Sequence, residues 1–109
     1  MKQKLKLRVM AEYASSGIWG FSEKQSGAFR HGMIEHSDLK LPKELRERFE
    51  KWISEYTKNN LSNELDTNAF NTEGRELAKL LKEHMGPEQY VEYQGETDDG
   101  DLLNAEVIN

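Results

Sequence analysis

The sequence predicts an α+β domain in which a small antiparallel or mixed β-sheet carries two helices on one of its faces. Apolar and polar residues alternate near the start of the chain, and two longer segments in its middle repeat apolar residues at helical spacing. A short alternating segment follows the second of them. The resulting order is β-β-β-α-α-β, and this segregation of strands from helices is typical of α+β domains.

The first two strands are predicted to form a β-hairpin. Every second residue of the first strand is apolar, which is the pattern of a half-buried strand. Residues 14–17 interrupt this alternation, because Ser competes for backbone hydrogen bonds and Gly tolerates positive φ. Ile18, Trp19 and Phe21 resume it, so we expect a hairpin with a four-residue connection. The apolar positions of the first strand are Leu5, Leu7, Val9, Ala11 and Tyr13.

A third strand is predicted over residues 28–35. Its apolar residues fall on both faces, with Phe29 and Met33 on one and Ile34 on the other. Such a strand is either covered in part on both sides or carries a bulge at Gly32.

Two amphipathic helices are predicted to follow. The first spans about residues 42–58, and the second begins near Thr67 and ends at Gly86-Pro87, because Pro cannot continue a helix. Asp66 or Thr67 can cap the second helix. Gly at position 74 lowers the stability of a helix by about 1 kcal/mol relative to Ala. Close packing on the sheet or on the first helix would explain why Gly stands there, so we expect the second helix to make such an approach at Gly74. The apolar stripes are Leu45, Phe49, Trp52, Ile53 and Tyr56 in the first helix, and Phe70, Gly74, Leu77, Ala78, Leu81 and Met85 in the second.

A final strand over residues 90–94 completes a predicted single domain of residues 1–94, and residues 95–109 form an acidic C-terminal tail. Residues 1–94 hold all 15 Lys and Arg and 15 of the 20 Asp and Glu, so the whole net charge of −5 lies in the tail. The tail is either a solvated terminus or an arm that docks on a basic partner or folds back over the basic face of the first strand.

Composition excludes several classes of protein. The chain contains no Cys, which excludes disulfides, thiolate metal sites and a Cys nucleophile. The first residues lack the apolar region of a signal peptide, and no segment has the roughly 20 apolar residues of a transmembrane helix. We therefore expect a cytoplasmic protein.

The histidines and carboxylates of residues 31–38 do not predict a metal site or an active site. Their spacing lacks the H-E-x-x-H pattern, and no Cys accompanies them. If His31 lies on a strand, the five-residue step to His36 points the two side chains to opposite faces, which prevents paired acid–base chemistry. We expect no metal, no cofactor and no enzymatic activity.

One alternative is a small nucleic-acid- or ligand-binding module that uses the basic face of the first strand. The neutral domain and acidic tail argue against it, because nucleic-acid-binding modules usually carry a basic excess. This face would comprise Lys2, Lys4, Lys6 and Arg8, with Trp19 and Phe21 nearby.

Protein recognition is the leading hypothesis. Trp19 and Phe21 share a face of a short strand, and large aromatic residues dominate binding hot spots. A possible acidic rim around them comprises Glu12, Glu23, Glu35 and Asp38.

Four segments resemble a family of short, cysteine-free bacterial immunity proteins of contact-dependent growth inhibition and related polymorphic toxin systems. They are LRVMAEYASSGIWGF, FRHGMI, LPKELRERFEKWISEY and AFNTEGRELAKLLKEHMGP, within residues 5–93. The resemblance implies a protein that binds the toxic domain of a cognate delivered effector, often a nuclease, and blocks its active site. We expect that toxin to be a ribonuclease. The predicted contact residues are Glu12, Ser15, Ser16, Trp19, Glu23, Arg30, His31, Glu35 and Asp38.

Overall fold

The computed structural model describes residues 6–21, 32–62 and 64–109, which form a four-stranded sheet and two α-helices. The strand order is β2-β1-β3-β4, in which β1 is antiparallel to β2 and parallel to β3, and β3 is antiparallel to β4. The predicted α+β class with a mixed sheet is confirmed. The elements are β1 (Lys6–Val9), β2 (Ile18–Phe21), a 3₁₀ helix (His36–Leu39), α1 (Lys43–Leu61), α2 (Thr67–Met85), β3 (Val91–Tyr93) and β4 (Glu106–Ile108).

The predicted hairpin forms, with Val9 opposite Ile18, but its connection is longer than expected. The chain leaves β1 after Val9, and residues 10–17 form the loop. Positive φ angles of 55° at Ala14 and 80° at Gly17 turn the chain. Tyr13 therefore does not continue the strand alternation, and 47% of its surface is exposed.

Only residues 32–35 of the predicted third strand lie within the described part of the chain. Met33 forms a single antiparallel bridge with Trp19. The Gly20 N–H donates to the Gly32 carbonyl at 3.0 Å, and the Ile34 N–H donates to the Ile18 carbonyl at 2.9 Å. This segment therefore pairs with β2 as a bridge, without becoming a strand over residues 32–35.

Both predicted helices are present. α1 ends at Leu61, three residues after the predicted end, because Asn59 and Asn60 remain helical. α2 has the predicted bounds, and the Asp66 side chain caps it by accepting from the Ala69 N–H at 3.1 Å. Gly86, at φ 106°, ends it.

The core lies between the sheet and the two helices: α2 packs on β1 and β3, and α1 packs against α2 and contributes Phe49, Trp52 and Tyr56 to the core. The start of α2 also forms part of the candidate binding surface. Because β1 and β3 are parallel, their C-terminal ends share one edge of the sheet, and the N-terminal half of α2 lies over that edge through the contact of Asn71 with Glu96. Among the helices of residues 6–21, 32–62 and 64–109, none is long and apolar enough to span a membrane.

Residues within the predicted acidic tail add two ordered features. A hairpin forms over residues 95–103, with a bridge between Glu96 and Leu102 and a hydrogen bond of 2.9 Å from the Leu103 N–H to the Gly95 carbonyl. Residues 106–108 then form β4 along the edge of β3. Within this segment, β4 therefore pairs with the edge of β3 and does not lie over the basic face of β1.

Candidate protein-binding surface

A buried polar network closes one end of the molecule, where β3 and α1 end and α2 begins. The Tyr56 hydroxyl of α1 donates to Glu96 Oε1 at 2.7 Å, and Asn71 Nδ2 of α2 donates to the Glu96 carbonyl at 2.9 Å. The Tyr93 hydroxyl donates to Asn71 Oδ1 at 2.7 Å. The network ties both helices to the chain that leaves β3, which makes this end a rigid platform.

Glu96 is the charged member of this network, and only 7% of its surface is exposed. Burial raises the pKa of its carboxyl above the usual value, while the hydrogen bond from Tyr56 acts in the opposite direction. The nearby charge of Glu12 raises this pKa further. Glu12, in the β1–β2 loop, is therefore close enough to Glu96 for their charges to interact.

The β1–β2 loop places an aromatic ring on this platform. The Tyr13 ring lies 5.4 Å from the Tyr56 ring, centroid to centroid, and Asn60 Nδ2 donates to the Tyr13 hydroxyl. Nearly half of the Tyr13 side chain nonetheless remains exposed. An exposed aromatic residue that is already held in place loses little conformational entropy on binding, which favours a role as an anchor.

The 95–103 hairpin presents three exposed carboxylates next to this platform. Its turn is held by hydrogen bonds from the Thr97 N–H to the Asp101 carbonyl at 2.8 Å and from the Asp101 N–H to Thr97 Oγ1 at 3.1 Å. Gly100 has φ 84°, which suits a tight turn. The turn exposes Asp98, Asp99 and Asp101 to solvent.

We call this surface the acidic end. Two depressions connect its parts: Glu55 and Asp66 line one between the helices, and Glu96 and Asp98 line the other beside Thr67. Arg75 also lines the second depression, but its Nε donates to Glu106 at 2.7 Å. The acidic end is therefore negatively charged. Its carboxylates are Glu12, Glu55, Asp66, Glu96, Asp98, Asp99 and Asp101.

Of the predicted contact residues, Glu12 belongs to the acidic end and Ser15 lies in the same loop. Ser15 is partly exposed, and its hydroxyl donates to the Glu12 carbonyl at 2.9 Å. Ser16 is buried, and its hydroxyl bonds both the N–H and the carbonyl of Ile18 at 3.2 Å. The buried Ser16 hydroxyl thus shapes the start of β2, and Ser16 is not accessible to a partner at this surface.

Trp19 lies on the sheet face opposite the helices, in register with Arg8. It is partly buried, and its Nε1 donates to the Met10 carbonyl at 2.9 Å. Arg8 Nε lies 2.6 Å from Glu92 Oε1, so a carboxylate neutralises this part of the predicted basic face. Within the described chain, this pairing weakens the case for nucleic-acid binding.

Glu35 and Asp38 are exposed, and their segment runs from the β1–β2 loop, where His36 Nε2 lies 2.8 Å from the Ser16 carbonyl, towards α2. Their segment contacts the last turn of α2, where His84 Nε2 lies 2.9 Å from the Leu39 carbonyl. α2 has 19 residues and is therefore about 28 Å long, and the acidic end lies at its other terminus. Leu39 therefore lies near the last turn of α2, whereas His36 lies beside the β1–β2 loop, and Glu35 and Asp38 stay predicted contacts outside the set of residues that defines the acidic end.

The other predicted contacts, Glu23, Arg30 and His31, fall outside the described residues, as do Lys2 and Lys4 of the basic face. The second histidine of the rejected catalytic pair, His36, is described: its Nε2 lies 2.8 Å from the Ser16 carbonyl, and its ring packs 5.6 Å from that of Phe49. Its position suits a structural role.

Sequence reasoning missed Tyr13, which the alternation assigned to a strand. It noted the acidic residues of the tail but not their arrangement, although the segment Asp98-Asp99-Gly100-Asp101 is a turn signal. The part of the chain that the structure describes holds no group of three or more His, Asp or Glu side chains that could bind a metal ion.

Comparison with known protein families places these features in context. The family model described as Serratia CdiI immunity protein-like matches residues 5–96. No curated protein is significantly similar to the chain. The family match includes β1 to β3 and both helices and stops at Glu96, so Asp98, Asp99, Asp101 and β4 lie outside it.

Proposed function

We propose that this chain, which belongs to the Serratia CdiI immunity protein-like family, neutralises its cognate toxin by covering the toxin's active site with the acidic end. The observation that supports this proposal is the clustering of carboxylates around the exposed, preorganised Tyr13. The chain acts by binding in the cytoplasm of the cell that makes it, and performs no chemistry of its own.

The charge of this surface favours a nuclease as the target, and we propose that this nuclease is a ribonuclease. A nuclease must bind phosphate groups, so its active site presents cationic side chains. Carboxylates at the acidic end would occupy the places of the phosphates, and their field would speed the encounter of the two proteins. Speed matters because the toxin must be captured before it cleaves RNA.

Tyr13 supplies the apolar part of the interface. Tyr buries a large area with only two rotatable side-chain bonds, and such residues dominate interface energies. Because the Tyr56 ring and the Asn60 amide already fix the Tyr13 ring, binding would cost little further ordering. Tyr13, Glu12 and the hairpin carboxylates form the centre of the proposed contact set.

The test is a titration of the toxin domain encoded beside this chain with the purified protein, following RNA cleavage. We expect cleavage to fall in proportion to added protein and to stop at a ratio of about one to one, as in the tight nuclease–immunity pairs. The double variant Tyr13→Ala/Glu12→Lys should stop cleavage only at a clear molar excess over the toxin. The matched variant Glu47→Lys, which changes an exposed residue of α1, should behave as the wild type.

Persistent cleavage at tenfold excess of the wild-type protein would contradict the proposal. Equal inhibition by both variants would instead place the contact surface elsewhere. RNA cleavage by the immunity protein alone would overturn its assignment as a binding protein.

A further inference from the structure

A small cavity opens between the C-terminal half of α1 and the first turns of α2. Its volume is about 110 Å³. This volume suits the head group of one side chain and is too small for a nucleotide or a folded segment.

The floor of the cavity is aromatic. The Trp52 and Phe70 rings stack with centroids 5.0 Å apart and planes 11° apart, and the Tyr56 ring lies 5.2 Å from Phe70. Trp52 Nε1 donates to the Phe70 carbonyl at 3.0 Å, which holds the stack in place. All three residues are buried, so the floor is preformed.

The rim of the cavity carries three carboxylates, Glu55, Asp66 and Glu73. Arg48 already pairs with Glu73 through two hydrogen bonds, at 2.6 and 3.1 Å. Asp66 Oδ1 accepts the capping hydrogen bond from the Ala69 N–H. Glu55 forms an ion pair with Lys51, with 4.0 Å between Glu55 Oε1 and Lys51 Nζ. No basic side chain lines the cavity among residues 6–21, 32–62 and 64–109. Among the described residues Asp66 forms no ion pair, and the ion pair of Glu55 is long and exposed and therefore weak. Both carboxylates can thus pair with a cationic ligand.

We propose that this cavity receives the guanidinium group of an arginine side chain presented by the toxin. A cation is attracted both by the ring systems and by the carboxylates. A neutral apolar group would leave Glu55 and Asp66 without a cationic partner from the toxin. Arginine suits the site better than lysine, because its planar, weakly hydrated head group can stack on rings and pair with two carboxylates at once.

The cavity is continuous with the acidic end. Tyr56 lines the cavity, contacts the Tyr13 ring and donates to Glu96. A toxin seated on Tyr13 and Glu12 could therefore place an arginine in the cavity without a second docking event. The inference rests on the proposed function, since it names one contact of the same interface.

The direct test fills the cavity and measures the affinity for the toxin domain by calorimetry. Ala69 lies at the rim and is exposed, so Ala69→Met should fill the entrance and leave the core unchanged. We expect a loss of affinity of about tenfold or more, with an unchanged melting temperature. Lys79→Met adds the same side chain at an exposed position of α2 away from the cavity lining and should change affinity less than twofold. An affinity of Ala69→Met equal to that of Lys79→Met would overturn the inference, even if the toxin is bound and inhibited.

A second measurement separates failure of the inference from failure of the proposed function, because it needs no toxin. The protein is titrated with N-acetyl-arginine amide and with its neutral analogue N-acetyl-citrulline amide, and the Trp52 indole resonance is followed by NMR. We expect saturable shifts with the arginine compound alone, lost in Glu55→Gln. Equal shifts with both compounds, or none with either, would overturn the guanidinium site.

Discussion

Tyr93 sets the distance between α2 and the sheet. Its side chain is 1% exposed, and a Cβ atom added at Gly74 would lie 2.6 Å from the Tyr93 ring carbon Cζ and from its hydroxyl oxygen. The helix therefore requires glycine at this position, which confirms the close approach predicted from the sequence. The same contact places Tyr93 within hydrogen-bonding distance of Asn71, so a single glycine positions the network beneath the acidic end.

Gly74→Ala is expected to destabilise the protein, although Ala is the better helix former. Overpacking of a filled core costs about 1–3 kcal/mol, which exceeds the gain of about 1 kcal/mol in helix propensity. Urea unfolding measures the change, and Glu76→Ala, at an exposed position of α2, should alter stability by less than about 0.5 kcal/mol. Equal or greater stability of Gly74→Ala would show that the ring can move aside.

At the scale of elements, β4 is the strand whose two faces differ most clearly. Ile108 is 7% exposed and belongs to the core, whereas the neighbouring Val107 is 52% exposed on the other face. Glu106 adds an ion pair with Arg75 of α2 at 2.7 Å. We infer that Ile108 contributes most of the energy that holds β4 on the edge of β3.

Ile108→Ala should therefore lower the free energy of unfolding by about 2 kcal/mol or more. Val107→Ala removes a similar side chain from the solvent-facing side of the same strand and should cost less than about 0.5 kcal/mol. Chemical unfolding of the two variants measures both changes in the free energy of unfolding. Similar stabilities would mean that β4 packs too loosely to act as part of the sheet.

The two helices and the strands β1 to β3 could be predicted from the sequence, and β4 could not. α1 and α2 each repeat apolar residues over several turns, so their faces are determined by many positions. β4 has three residues, too few for an alternation to stand out, and the charge of its neighbours favoured a solvated tail. The β1–β2 loop was mispredicted at Tyr13 because the alternation extends past Val9, where the backbone leaves the sheet.

At the scale of the whole molecule, the acidic end combines the β1–β2 loop, the end of α1, the start of α2 and the 95–103 hairpin. These segments are separated along the chain and meet only because β1 and β3 are parallel and α2 returns over them. The sequence therefore indicated an acidic tail and a contact at Glu12 but not that the two adjoin.

The rate of association with the toxin domain, measured by stopped flow at low and high ionic strength, tests most directly whether the acidic end is the docking surface. Charge steering is screened beyond about 10 Å at 0.1 M salt, the low-salt condition, and beyond about 3 Å at 1 M, the high-salt condition. At 0.1 M its effect is therefore confined to charges that face the partner. The triple variant Asp98→Asn/Asp99→Asn/Asp101→Asn should associate about tenfold more slowly at low salt, and the difference should vanish at high salt. The variant Glu44→Gln/Glu47→Gln/Glu50→Gln makes the same change of net charge on the exposed side of α1 and should remain within twofold of the wild type. Equal rates for the two triple variants would contradict the central claim, because they would show that the toxin responds to net charge and not to this end of the molecule.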